Sequence, residues 1–176
     1  MIVAVSLLTG LAQPPRPLAG FVWAIEAIVF AAVVPIVYIK YGIRAGKWAD
    51  RHVGNRQRRL LLIPPVIMRP SGAGIGGMLW LDAPRQMLGL VVAMLATLAV
   101  LLPVTAFWKI SVHTSVAAGT LGILAGVYGP WVWLATPVVG LIAWSRVELR
   151  AHTRAQTVAG ACTGAVVAGL TFAAFC

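Results

Sequence analysis

Apolar runs of membrane-spanning length, with cations gathered in the gaps between them, restrict this chain to very few architectures. Gln86 to Trp108 holds no charged residue, and a helix needs roughly 20 apolar residues to cross a hydrocarbon core. Hydrophobic residues make up 60% of the 176 positions and charged residues 10%. With a mean hydropathy of +0.91, that composition fits a polytopic membrane protein and not a soluble domain. The net charge of +10 does not point to nucleic acid, because the Lys and Arg residues are interrupted by apolar runs instead of lying on one soluble surface. Anionic headgroups of membrane lipids or a phosphorylated substrate are the expected partners.

The expected fold is all-α, an integral membrane six-helix bundle with a short N-terminal apolar, interfacial segment. Residues 1–17 form that segment and residues 18–176 one membrane-embedded domain. The expected spans are Leu18 to Lys40, Leu60 to Trp80, Arg85 to Trp108, Ser115 to Tyr128, Trp131 to Trp144 and Thr153 to Cys176. Pro35 is expected to kink the first. Pro64-Pro65 and the glycine-rich stretch after Arg69 are expected to interrupt the second, turning it inward, where Glu26 is the candidate partner for Arg69. The fourth and fifth are short unless the flanking polar clusters begin their end turns.

Three polar clusters separate these spans. The first, Tyr41 to Arg59, carries Lys47, Arg56 and Arg59; the second is Lys109 to Thr114, with His113; the third runs from Ser145 to Gln156, with Arg146 and His152. Counting spans puts all three on one membrane face. Lys109 and His113 are four apart, as are His152 and Gln156, a spacing that shares a helix face, so the Gln156 amide is expected to orient the His152 ring. Phosphoryl transfer needs cations around the transferring group, an in-line nucleophile and an acid for the leaving oxygen. Two histidines among these cations can supply the last two, one by forming a covalent phosphohistidine.

The third cluster also carries a family signature. Ser145-Arg146, five residues, His152, three residues and Gln156 resembles the third motif of the type 2 phosphatidic acid phosphatase family, which usually has Asp at the last position. Ile110-Ser111-Val112-His113 resembles the second motif, Pro-Ser-Gly-His, keeping its Ser and His. The first motif, Lys, six residues, Arg-Pro, has no clean match. Arg51 with Arg58 keeps its spacing without the Pro, and Lys47 through Arg56 and Arg59 resembles a divergent branch. The resemblance implies His152 as nucleophile, His113 as general acid and base, and Arg146, Ser111 and one or two of Lys47, Arg56 and Arg59 around the phosphate; Lys109, from the second cluster, is a further candidate cation beside them. It implies no metal and no cofactor, and the sequence has no zinc-like or carboxylate-rich ligand spacing.

The expected activity is hydrolysis of a lipid phosphate or isoprenyl (di)phosphate by an integral membrane phosphatase. The alternative is a non-catalytic membrane protein that binds or moves anionic lipids, which has no need of the two histidines. Cations concentrate on the face that holds the clusters, which by the positive-inside tendency puts that face in the cytoplasm of a multi-pass cell-membrane protein.

Overall fold

The computed structural model describes residues 1–12, 17–44 and 56–176. All regular structure among them is helical: α1 (Ile2–Leu11), α2 (Pro17–Ile28), α3 (Val34–Arg44), α4 (Arg56–Trp80), α5 (Arg85–Phe107), α6 (Val112–Tyr128), α7 (Thr136–Glu148) and α8 (Arg154–Ala173). A π-turn, Val29–Val33, joins α2 to α3, and a 3₁₀ segment, Pro130–Ala135, leads into α7. Two of the helices, α5 and α8, are long and apolar enough to cross a membrane.

The distortion expected at Pro35 lies just before it. Proline has no N–H to give the carbonyl four residues back, and the chain takes up the mismatch as the π-turn. The expected interruption of the second span is not present. Helix α4 runs unbroken from Arg56 to Trp80. Two of its four glycines serve close approach, while Gly72 and Gly76 face open space: a Cβ on Gly74 would lie 3.0 Å from Phe30 Cβ, and one on Gly77 would lie 3.1 Å from Glu26 Oε1. Glu26 therefore faces Gly77, about two turns from Arg69, and Arg69 is exposed. The expected inward Arg69 and its pairing with Glu26 are both corrected. The fourth and fifth segments expected as spans are helices that take in their polar flanks: α6 begins at Val112, and α7 continues through Ser145 and Arg146 to Glu148.

Neighbouring helices alternate in direction. Residues 26 and 30 of the first span meet residues 77 and 74 of α4, and Gly89 near the start of α5 packs on Phe175 beyond the end of α8. Helices α6 and α8 instead run parallel, since Ser111, Ser115 and Gly119 meet Gly160 and Gly164 in rising order. The Tyr128 hydroxyl, at the far end of α6, donates to the Leu8 carbonyl of α1 at 2.7 Å.

The core is built on small side chains and a few large ones, including Met78, Met87, Leu90 and Phe172. Several hydroxyls are buried with them, among them Thr97, Thr114, Ser115 and Thr157, while large apolar residues cover the outside. Leu170 is 70% exposed and Phe172, two positions on, only 1%. Helix α7 has no buried residue.

Candidate functional site

The end of α7 explains the spacing between Arg146 and His152. After the cap residue Leu149, Arg150 takes a left-handed conformation, φ 51°. The Arg150 N–H donates to Val147 O at 2.9 Å and the Ala151 N–H to Arg146 O at 3.1 Å, the two bonds of a Schellman turn. The next N–H, that of His152, also donates to Arg146 O, at 3.2 Å. Five residues between Arg and His are what this turn requires to bring His152 back onto the helix end that carries Arg146. Glycine is the usual occupant of the left-handed position, and an L-residue there costs about 1 kcal/mol.

Helix α8 starts immediately after. Thr153 is its N-cap, with Gln156 N–H donating to Thr153 Oγ1 at 3.3 Å and Thr153 N–H donating to Gln156 Oε1 at 3.0 Å, a reciprocal capping box. His152 thus lies outside the helix, and the expected shared face with Gln156 does not exist. The Gln156 side-chain oxygen is directed at the Thr153 backbone. The same correction applies at α6, where Ser111 is the N-cap and Lys109 precedes the helix, so Lys109 and His113 share no helical face.

Ser111 is fully buried, and its hydroxyl accepts from Thr114 N–H at 3.5 Å. The hydroxyl expected against a phosphate thus sits buried in this cap at the head of α6. His113, in the first turn of α6, is exposed and has no hydrogen-bond or ion-pair partner among the described residues.

The two capped helix starts are docked on one another. Ser111 N–H donates to Gln156 O at 3.2 Å, and the Thr114 hydroxyl lies 2.9 Å from Thr157 O. Gly160 and Gly164 permit this approach: a Cβ on Gly160 would overlap Ser111 O and one on Gly164 would overlap Ser115 O. Small residues four apart on a helix let two backbones come this close. One consequence of the docking is that His152 Nδ1 lies 3.1 Å from the main-chain carbonyl of Lys109. The ring is oriented by a backbone oxygen, where the sequence pointed to Gln156.

Arg146 completes this junction. Its Nε is buried and has no hydrogen-bond acceptor among the described residues, which is costly unless an acceptor arrives. The Lys109 residue is exposed. Of the other expected cations, Lys47 lies outside the described residues. Arg56 and Arg59 stand in the first turn of α4, at the same end of the helix array as the starts of α6 and α8. Among the described residues no three His, Cys, Asp or Glu side chains gather around a point that could hold a metal ion.

A cavity of about 200 Å³ opens between α1, α4, α5, α6 and α8, walled by residues such as Val5, Ser71, Leu98, Leu101, Val112 and Ile123. Its α6 wall extends from Val112, adjacent to His113, to Ile123, about 16 Å along the helix at 1.5 Å per residue. Ser115 stands in that wall, its buried hydroxyl without a partner among the described residues.

Four features of the site were not anticipated: the Lys109 carbonyl, the Schellman turn at Arg150, the Thr114 bridge and the capping box at Thr153. Only the capping box left a signal, because Thr153-Arg-Ala-Gln156 before an apolar run is the pattern that marks a helix start. In comparisons with known proteins, no family model, no curated protein and no solved structure matches this chain.

Proposed function

We propose that this chain is an integral membrane phosphatase, a divergent relative of the type 2 phosphatidic acid phosphatases, acting on a lipid phosphate or isoprenyl (di)phosphate. The observation that carries this reading is the convergence, at one helix junction, of an oriented imidazole and an arginine whose buried Nε–H has no acceptor. A phosphoryl oxygen is an acceptor of the right charge for that group.

In the first step a His152 ring nitrogen attacks phosphorus. The bond from phosphorus to the leaving oxygen breaks, and that oxygen takes a proton from His113. In the second step His113 accepts a proton from water, the water oxygen attacks phosphorus, the phosphorus–nitrogen bond breaks and inorganic phosphate leaves. Arg146, Lys109 and the cations of the first polar cluster, Lys47, Arg56 and Arg59, offset the charge on the equatorial oxygens. Neither step draws on a metal or cofactor.

The apolar cavity beside Val112 suits a single hydrocarbon chain, and the outward-facing apolar residues suit lipid contact. In this reading the helices form a six-span bundle of a multi-pass cell-membrane protein, and the site opens on the cation-rich, cytoplasmic face. The test is phosphate release by purified, detergent-solubilised protein from a panel of lipid and isoprenyl phosphates, with EDTA present and His152→Ala alongside. Release that survives chelation and vanishes in the variant is the expected result. Folded protein that releases phosphate from no substrate refutes the reading.

Two observations favour the second reading, a non-catalytic protein that binds or moves anionic lipids. Gln156 is engaged in a cap where the family has a carboxylate, and Ser111 is buried in another. Retention of phosphatidic acid without turnover, equal in wild type and His152→Ala, would select it.

A further inference from the structure

We propose that the Lys109 carbonyl locks His152 in the Nδ1–H tautomer, and that Thr114 is the positioning residue that keeps this carbonyl in place. The catalytic consequence rests on the phosphatase reading; the tautomer itself does not. A carbonyl oxygen can only accept, so across the 3.1 Å contact the proton belongs to Nδ1. A neutral ring carries one N–H, and the lone pair is then on Nε2, the nitrogen on the side of the ring away from Lys109. A ring without such a partner exchanges between the two tautomers.

The Lys109 carbonyl can play this part only if the segment before α6 is held. Ile110 N–H donates to Trp108 O at 2.7 Å, closing a three-residue turn centred on Lys109. Ile110 is buried and Ser111 N–H reaches across to Gln156 O. Thr114 makes the side-chain link: its hydroxyl is fully buried, with Ser111 O at 3.0 Å on its own helix and Thr157 O at 2.9 Å on α8. One hydroxyl proton is shared between two carbonyls, one on each of the segments that deliver Lys109 and His152. Gly160 leaves the room for this, since a Cβ there would lie 2.6 Å from Thr114 Oγ1.

A carboxylate partner would orient the ring and also carry a full negative charge. The backbone carbonyl orients it through a dipole alone, so the proton stays on Nδ1 without an ion pair to fix it. On the phosphatase reading, Nε2 is the atom that bonds to phosphorus, and it arrives at the site unprotonated.

The experiment is nitrogen NMR of full-length protein in micelles, labelled with ¹⁵N-histidine and recorded where the rings are neutral. Couplings from the ring nitrogens to the ring C–H protons show which nitrogen holds the proton, and loss of a signal in His152→Gln assigns it. The expected wild-type result is an Nδ1–H excess at His152 of up to about tenfold, the ratio a single net hydrogen bond sustains. Thr114→Val, which keeps the side-chain shape, should bring the ratio toward that of the other histidines, and Thr114→Ser should restore it. If Thr114→Val fails to fold, Thr114→Ala removes the same hydroxyl and is expected to give the same shift. A wild-type His152 protonated on Nε2, or an undiminished Nδ1–H excess in folded Thr114→Val, overturns the proposal. Phosphate release is scored separately. An Nδ1–H ring without turnover refutes the phosphatase reading alone, and turnover from an Nε2–H ring refutes the lock alone.

Discussion

Replacing Gly164 with alanine should force α6 and α8 apart, and the cost can be worked from the contact itself. A Cβ at this position would overlap the Ser115 carbonyl and lie 2.7 Å from Ser115 Cα, where carbon–carbon contacts are optimal at about 3.5–4.0 Å. Both obstructing atoms are backbone, so the helices must separate by about 1 Å. The 2.9 Å bridge from Thr114 to Thr157 and the 3.1 Å contact from His152 to Lys109 would then open to about 4 Å, beyond hydrogen-bond range. Two lost hydrogen bonds at about 1 kcal/mol each join about 1–3 kcal/mol for overpacking. Alanine's helix propensity returns about 1 kcal/mol, leaving a net loss of about 2–4 kcal/mol. The control is Gly169→Ala on the same helix, where a Cβ meets nothing within 4 Å and the propensity gain of up to about 1 kcal/mol stands alone. Denaturation of both variants with SDS in mixed micelles, followed by tryptophan fluorescence, gives the difference directly. If Gly164→Ala is as mild as Gly169→Ala, the close parallel contact is wrong, and with it the account of how His152 is aimed.

Three further outcomes are expected. Arg150→Gly relieves a left-handed L-residue and should stabilise the fold by about 1 kcal/mol in the same titration; a loss of stability would refute the Schellman turn. Gln156→Asp should leave the pH profile of phosphate release unchanged, because residue 156 faces the Thr153 N–H; an upward shift would mean that its carboxylate reaches His152. The proposed orientation, with the site facing the cytoplasm, puts Cys176 beyond the opposite end of α8, where it should react with a membrane-impermeant maleimide on intact cells, whereas Cys162, mid-helix, should not; an unlabelled Cys176 would refute that orientation. Burial pushes the Cys176 thiol up, so less of it is thiolate at neutral pH, and labelling should quicken as the pH is raised.

The helices were legible because apolar run length reports directly on whether a segment must form its hydrogen bonds internally. Helix α4 was misjudged because propensity, measured on solvated helices, prices Pro and Gly without their packing partners. Gly74 and Gly77 look like breakers in sequence and are contact points in three dimensions. At the site, the linear spacing of Arg146 and His152 was readable because one turn at the end of α7 sets it. The partner of His152 was not. Counting four residues forward assumes that both ends of the interval are helical, and Thr153 and Ser111, each an N-cap, place His152 and Lys109 outside their helices. A backbone carbonyl also has no letter of its own in a sequence.

Helix α7, with no buried residue of its own, governs something its neighbours cannot: angular phase. Because α6 and α8 are parallel, the chain must return along the molecule between them, and α7 is the last part of that return. Each residue of a helix advances its direction by about 100°. A single deletion inside α7 would therefore swing Arg146 and the attached Schellman turn by more than a quarter revolution, carrying His152 off the Lys109 carbonyl, even though no contact in the core had been touched. The same deletion at the Gly129–Pro130 bend, ahead of the helix, would let the chain take up the slack before the phase is set. Length is thus constrained most tightly along the helix whose side chains are constrained least.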